Sequence, residues 1–403
     1  MIRFLLTNIR WLAAGFLLTF ASVFGQTWFI ALSADFIKKE YALSDGRWGG
    51  LYTLATLSSA ALMFWQGSIV DRVRPRYVAI VTTCVFAFAA GWLAISTTVW
   101  ELVLAIFLLR FCGQGMFGHI AMTAIGRWFV AHRGRAVAVA NLGYPASEIF
   151  LAAPAILCLQ SFGWRSLWII GALCLCIGIG PCLLWLLGGK RTPQELSESD
   201  GHSGLYGRHW QRGDAIRHWL LPALLPTLLT PGFMGTVLFF NQTHISAIKQ
   251  WSLVAMAPGI SCFAIAGVVA SFISGWAVDR FGGHRLLPVL LVPIGIGMLL
   301  VGLTTHIGVW YVALGLMGVT MGISGALWGS LLPFVYGTEH LGAIRSLTTT
   351  VMVVSTAIGP GLTGFLLDNG ISFPIQCYAC CSWCLVISCG SIFIEHKLSR
   401  ELS

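Results

Sequence analysis

Charge is scarce in this sequence. Only 10% of its 403 residues are Asp, Glu, Lys or Arg, against about a quarter in a soluble globular chain. With 57% of residues apolar, that excludes an ordinary soluble enzyme and a disordered chain. No Gly-x-x-x-x-Gly-Lys-Ser/Thr loop occurs, and no soluble domain could hold a nucleotide, which argues against an ATP-driven pump. His-Glu-x-x-His is absent, and with it the cluster a membrane enzyme would need. A sensor would need an added signalling domain, for which the loops are too short. The N-terminal apolar stretch lacks a convincing small-residue cleavage site, so no cleavable leader is expected.

What the chain does have is length without charge. Ten stretches contain no Lys, Arg, Asp or Glu: Trp11–Ala34, Trp48–Val70, Tyr77–Trp100, Ser166–Gly189, Trp219–Ile248, Gln250–Val278, Leu286–His306, Ile307–Thr338, Ser346–Leu367 and Asn369–Ile394. Two more, Leu102–Gly126 and Ala136–Gln160, hold one charge each. A helix crosses a bilayer with roughly 20 apolar residues. The pattern therefore predicts an all-α polytopic membrane protein of twelve transmembrane helices.

The basic balance, net +9, is an orientation signal. With a cytoplasmic N-terminus, the cytoplasmic segments hold 18 Lys and Arg and the opposite side holds 5. Basic residues favour the cytoplasmic side, so both termini are expected in the cytoplasm of a cell (inner) membrane. No nucleic-acid partner is expected. Cys377, Cys380, Cys381 and Cys384 fall on one face of the last span. No His or carboxylate lies near them within that span, so they read as small packing residues and no metal or cofactor is expected.

The chain also repeats itself. Gly67-Ser-Ile-Val-Asp71-Arg72 recurs 208 residues later as Gly275-Trp-Ala-Val-Asp279-Arg280. At the same offset His132 and Gly134 meet His340 and Gly342. Phe24-Gly-Gln26-Thr27 matches Phe240-Asn-Gln242-Thr243. These matches predict two six-helix bundles, 1–189 and 219–403, joined by a polar cytoplasmic linker, 190–218. Such paired halves are known from secondary transporters, with a substrate site between them.

The paired Gly-x-x-x-Asp-Arg loops resemble the signature loop of the major facilitator superfamily. Arg110-Phe-Cys-Gly-Gln114-Gly115 resembles the family's fourth-helix motif. Trp128-Phe129-x-x-x-Arg133-Gly134-Arg135-Ala136, running on to Gly143, resembles the loop signature of the monocarboxylate and oxalate–formate branch. That branch carries Asp and Arg in the eighth span, and Gln250–Val278 has neither. The resemblance implies the major facilitator fold. It also implies a cytoplasmic gate at Gly67, Asp71, Arg72, Gly275, Asp279 and Arg280, whose carboxylates cap a facing helix and whose glycines allow close helix approach.

A charge at the centre of a span costs about 2.5–3.5 kcal/mol on the insertion scale, and only Arg110 and Glu148 sit inside spans. Their depths, at about 1.5 Å per residue, differ little enough for the two to pair. Arg110 and Gln114 are four apart and can offer a cationic fork beside an amide to an anion. The offset counterpart of Arg110 is Gly318, so charge recognition is expected in one half only. Glu148, if not firmly paired, can take up a proton reversibly. His119 is a second candidate proton site. Asn141, Pro145 and Glu148 share one side of the fifth helix, where Pro145 is expected to kink the span. Gln26, Gln242 and His244, with Thr27 and Thr243, are candidate substrate contacts toward the outer ends.

The reading is a monomeric secondary transporter, not an enzyme, working by alternating access. It would carry a small organic anion such as a monocarboxylate, with a proton. The alternative is efflux of an amphiphilic metabolite or drug, which the 17 Trp and 25 Phe would also suit.

Overall fold

The computed structural model describes residues 2–66, 69–129, 133–189, 204–208, 210–337 and 340–402. Those residues form helices and contain no strand. Hydrocarbon leaves a backbone no other way to satisfy its N–H and C=O groups, short of a closed barrel.

Each of the twelve predicted spans is helical over most of its described residues. The first, α1, runs Ile2–Ala21, tightens through Ser22–Gly25, and resumes as Thr27–Ala31. Next come α2, Asp45–Gln66, and α3, Pro75–Ile95. Helix α4 is continuous from Val99–Leu109 through a wide turn, Arg110–Phe117, to Gly118–Trp128. A 51-residue apolar run, Ala136–Leu186, holds both α5 and α6. Gly163, at φ 81, turns the chain between them, a conformation few side chains tolerate. The second half contains α7 (Leu220–Phe240 and Gln242–Lys249), α8 (Leu253–Phe281), α9 (Val292–Leu303), α10 (Gly308–Tyr336), α11 (Leu341–Asp368) and α12 (Phe373–Leu402). Nine helical runs among the described residues have the length and apolarity to cross a bilayer, with α5 and α6 sharing one of them. Val292–Leu303 is a shorter apolar helix.

The chain packs as two compact units. One comprises residues 1–197 with Gln242–His244, the other 198–241 with 245–403. In the second unit α8 and α10 press together through glycines. A side chain at Gly322 would begin 2.5 Å from the Gly267 carbonyl oxygen, and Gly318 faces the Phe263 carbonyl. The cysteine face of α12 packs on α9 in the same way, with Cys384 against Gly295 and Cys377 against Gly302. The sequence reading of those thiols as packing groups describes these contacts.

Ahead of Pro145, where a kink is expected, the helical pattern of α5 loosens at Leu142, between Arg133–Asn141 and Gly143–Leu173. Leu142 keeps helical angles, and its amide still donates to the Ala138 carbonyl at 3.3 Å. Proline has no N–H to give to the carbonyl four residues back, and its ring crowds that carbonyl.

Candidate functional site

The site in the first unit begins with a break in α1. Its 3-10 turn ends at Gly25, and Gln26 is extended at φ −79, ψ 147. Such a break leaves backbone acceptors without helical partners. Here α4 comes close, because Gly25 faces Gly113. A Cβ on Gly113 would lie 2.6 Å from the Gly25 Cα and 2.6 Å from Cζ of Phe86.

That approach carries Arg110 to the break. Its Nη1 donates to the Gly25 carbonyl at 3.0 Å and to the Thr27 hydroxyl at 3.1 Å. The Tyr52 hydroxyl of α2 donates to the same Thr27 oxygen at 3.0 Å. The guanidinium carbon lies 5.4 Å from the Tyr52 ring centroid, a cation–π contact in a dry setting. Arg110 is 1% exposed, yet its Nε and Nη2 have no hydrogen-bond partner among the described residues. A buried donor left unmade costs about 1–3 kcal/mol, more when charged. The arrangement holds a cation rigidly and leaves two of its buried donor nitrogens without a partner among the described residues.

The pairing of Arg110 with Glu148 is not found. No ion pair joins them, and the guanidinium goes instead to the broken backbone of α1 and to Tyr52. Arithmetic on depth placed the two residues at similar heights but could not fix which neighbour the guanidinium would face. Glu148 is half-buried on α5, without a partner among the described residues. Gln114 is half-buried in the same wide turn as Arg110. His119 follows that turn and is half-buried. Wide turns of this kind are frequent at functional sites.

Gln26 is half-buried, its amide donating to Ser22 Oγ at 3.3 Å. Gln242 is 2% exposed and donates to the Trp28 carbonyl at 2.7 Å. His244 Nδ1 lies 3.6 Å from Asp45, which also takes Lys38 at 2.7 Å, and Lys38 reaches Asp35 at 2.8 Å. Burial pulls the Lys38 pKa down, but the two carboxylates outweigh it and leave it raised. Among the proposed gate residues, Gly67 lies outside the described residues, as do the side chains of Asp71 and Arg72. At Gly275 a Cβ would meet nothing within 4 Å among the described residues, so the close helix approach expected there is not seen among them. Asp279 is exposed, and Arg280 lies over Trp276 and Phe281. Among the described residues, no group of three or more His, Cys, Asp or Glu could hold a metal.

Tyr52, Thr27 and the Gly25 carbonyl complete the site. Sequence reasoning singled out Thr27 through its repeat match but passed over the other two. A tyrosine in an apolar span has no periodic signature, and a carbonyl has none at all.

The sequence description of the Major Facilitator Superfamily matches residues 15–375. The chain belongs to this superfamily. Within it, the chain is 26% identical to monocarboxylate transporter 11 of Mus musculus over 383 residues, covering 90% of this chain and 80% of that one. It is 21% identical to the hexuronate transporter of Bacillus subtilis (strain 168), covering 85% and 84%. Its fold matches the crystal structure of a bacterial homologue of the human lysosomal transporter Spinster in an occupied, inward-facing conformation. The TM-score is 0.68 at 15% identity, covering 97% of this chain and 94% of that one. As a member of the superfamily, the protein is a multi-pass membrane transporter of small molecules.

Proposed function

We propose that the protein is a secondary active transporter that moves a small organic anion, a monocarboxylate or a close relative, together with a proton, by alternating access. Arg110 is the anchor. The observation that carries the reading is its pair of buried donor nitrogens without partners, beside a broken helix whose exposed backbone is already capped. Broken helices are a recurring way for transporters to build such sites. A carboxylate with two oxygens matches the guanidinium fork. Gln114, in the same turn, supplies an amide donor beside it. Glu148, a half-buried carboxyl without a partner, takes the proton. That relatives at 21–26% identity are transporters of monocarboxylates and hexuronate supports a carboxylate cargo. We propose the inner membrane with both termini cytoplasmic, on the distribution of its basic residues, and a monomer as the working state.

The test is uptake of labelled small carboxylates by purified protein in liposomes, with and without an inward proton gradient. The reading expects gradient-driven uptake. It expects Arg110→Gln to weaken it by about tenfold or more, the equivalent of one charged hydrogen bond. Glu148→Gln should remove the dependence on the gradient while leaving anion exchange. Folded protein that takes up no carboxylate would overturn the reading.

A further inference from the structure

Tyr144 of α5 reaches across to α4. Its hydroxyl oxygen stands where a Cβ would project from Gly118, the first residue after the wide turn Arg110–Phe117. Outside α4 itself, nothing else among the described residues lies within 4 Å of that Cβ position. Glycine at 118 thus opens a slot that the phenol alone enters. The hydroxyl has no hydrogen-bond partner among the described residues, so it acts there by shape. The preceding residue, Gly143, is buried against α1, where a Cβ would meet Thr19 Oγ and the Phe16 carbonyl. Thr19 also donates to the Ala140 carbonyl at 2.5 Å. Two successive residues therefore fix α5 at one height, Gly143 against α1 and Tyr144 against α4.

That height decides what stands opposite what. Spans α4 and α5 are consecutive and run in opposite directions. Four residues back along α4 and four forward along α5 arrive at a common height, about 5.4 Å further on. From Gly118 and Tyr144 the step leads to Gln114 and Glu148. Residues four apart share a helix face, and both of these are half-buried. One more step along α4 reaches Arg110. The other titratable group along this stretch is His119, while α1 has none from Trp11 to Ala34. An anion beside Gln114 is repelled by an ionised Glu148 and freed of that repulsion once the carboxyl takes a proton, an effect that weakens with separation.

We propose that Tyr144 is a positioning residue for proton coupling: its ring, seated against Gly118, holds the Glu148 carboxyl level with the Gln114 amide. The inference rests on the transport reading above and gives Tyr144 no contact with the substrate.

The experiment uses full-length protein in liposomes and compares exchange of labelled carboxylate at equal pH with its accumulation under an inward proton gradient. Gly118→Ala puts a methyl group into the slot, where it displaces the ring and not the helix. Accumulation should fall about tenfold or more, since a misplacement of about 1 Å can cost about a hundredfold. Exchange should stay near wild type. Adding Tyr144→Phe removes the oxygen that the methyl would strike, and the pair should recover accumulation beyond the sum of the single changes. Tyr144→Ala empties the slot and should uncouple as Gly118→Ala does, which keeps the test open if that variant fails to fold. A loss shared equally by exchange and accumulation would make Tyr144 a packing group only and overturn the proposal. A double variant no better than Gly118→Ala would do the same. A second readout is independent of transport: a short bismaleimide should join Gln114→Cys to Glu148→Cys, the linked peptides being mapped by mass spectrometry. The yield should drop when Gly118→Ala is added and return when Tyr144→Phe joins it. Cross-linking that ignores both changes would overturn the positioning role whatever the uptake. A wild type that takes up no carboxylate would overturn the transport reading instead, and the cross-link would still decide whether Tyr144 positions Glu148.

Discussion

Nη1 of Arg110 is bonded to a carbonyl that is available only because the first helix stops. Thr27, one residue past the extended Gln26, is the second partner, and Tyr52 fixes the threonine in turn. A single charge is thus held by one backbone oxygen, one hydroxyl and one ring face, none of them ionised. No counter-charge from the protein competes for the remaining donors. A charged group bound for structure alone would be expected beside a carboxylate. A different logic governs Glu40, outside the spans. It takes Arg165 in an ion pair and accepts the Trp164 indole at 3.0 Å, and Arg165 also donates to the Ser96 carbonyl at 2.8 Å. The Arg165 hydrogen bond is the main reason the Glu40 pKa lies below its ordinary value. A carboxylate whose folded pKa is depressed contributes stability above its unfolded pKa, and that contribution disappears as pH falls through the folded value. Glu40→Gln is therefore expected to lower the melting temperature slightly at pH 7, the exposed pair being worth no more than about 1 kcal/mol. The variant should converge on wild type as the pH drops below about 4. Parallel melting curves at every pH would show that the pair contributes nothing.

Among the helices, the contact that positions the site is the crossing of α1 and α4 at Gly25 and Gly113. Backbone meets backbone there, so no side-chain rotation can make room for a methyl group. Gly113→Ala is expected to cost about 1–3 kcal/mol through overpacking and to move the Arg110 guanidinium off the Gly25 carbonyl. Tryptophan-monitored melting in detergent checks the first effect and carboxylate uptake the second. An unchanged melting temperature would mean that the helices cross elsewhere. The α1 break has a counterpart in α7, which is interrupted at Asn241, between Leu220–Phe240 and Gln242–Lys249. The Phe-x-Gln-Thr match located both points in the sequence. What the match could not show was that the helix stops there, since neither Gly25-Gln26 nor Asn241-Gln242 contains a proline. The twelve spans were legible because hydrocarbon demands uninterrupted apolar length, a one-dimensional property. The partner of Arg110 was not, because it depends on which helices adjoin, and α4 lies beside α1 at the break. At Gly275 a repeated glycine was read as a close contact, and no described atom comes within 4 Å of a Cβ placed there.

At the scale of the whole molecule, the described part of the linker is built into the second unit. The Trp210 amide donates to the Tyr336 carbonyl at 3.0 Å, and its ring lies 5.8 Å from Tyr336 and 4.6 Å from His218. Arg208 stacks on Trp210 at 4.2 Å and pairs with Asp214 at 3.1 Å. Burial lowers the His218 pKa, which favours the neutral ring inside this stack. A polar composition pointed to a linker; the aromatic residues within it do the docking. Trp210→Ala is expected to release this segment, seen as faster trypsin cleavage at Arg208, Arg212 and Arg217 with the spans intact. Cleavage at the wild-type rate would mean that the stack does not hold it. The Arg110 site also bears on how the chain enters the membrane in the first place. A ribosome delivers residues in order, and Gly25, Thr27 and Tyr52 all precede Arg110. When the fourth span leaves the translocon with its arginine, every group that will hold that charge is already in the bilayer. The residue that is most costly to insert therefore arrives after its partners, and a truncated chain that begins at α3 would be expected to lose the fourth span from the membrane.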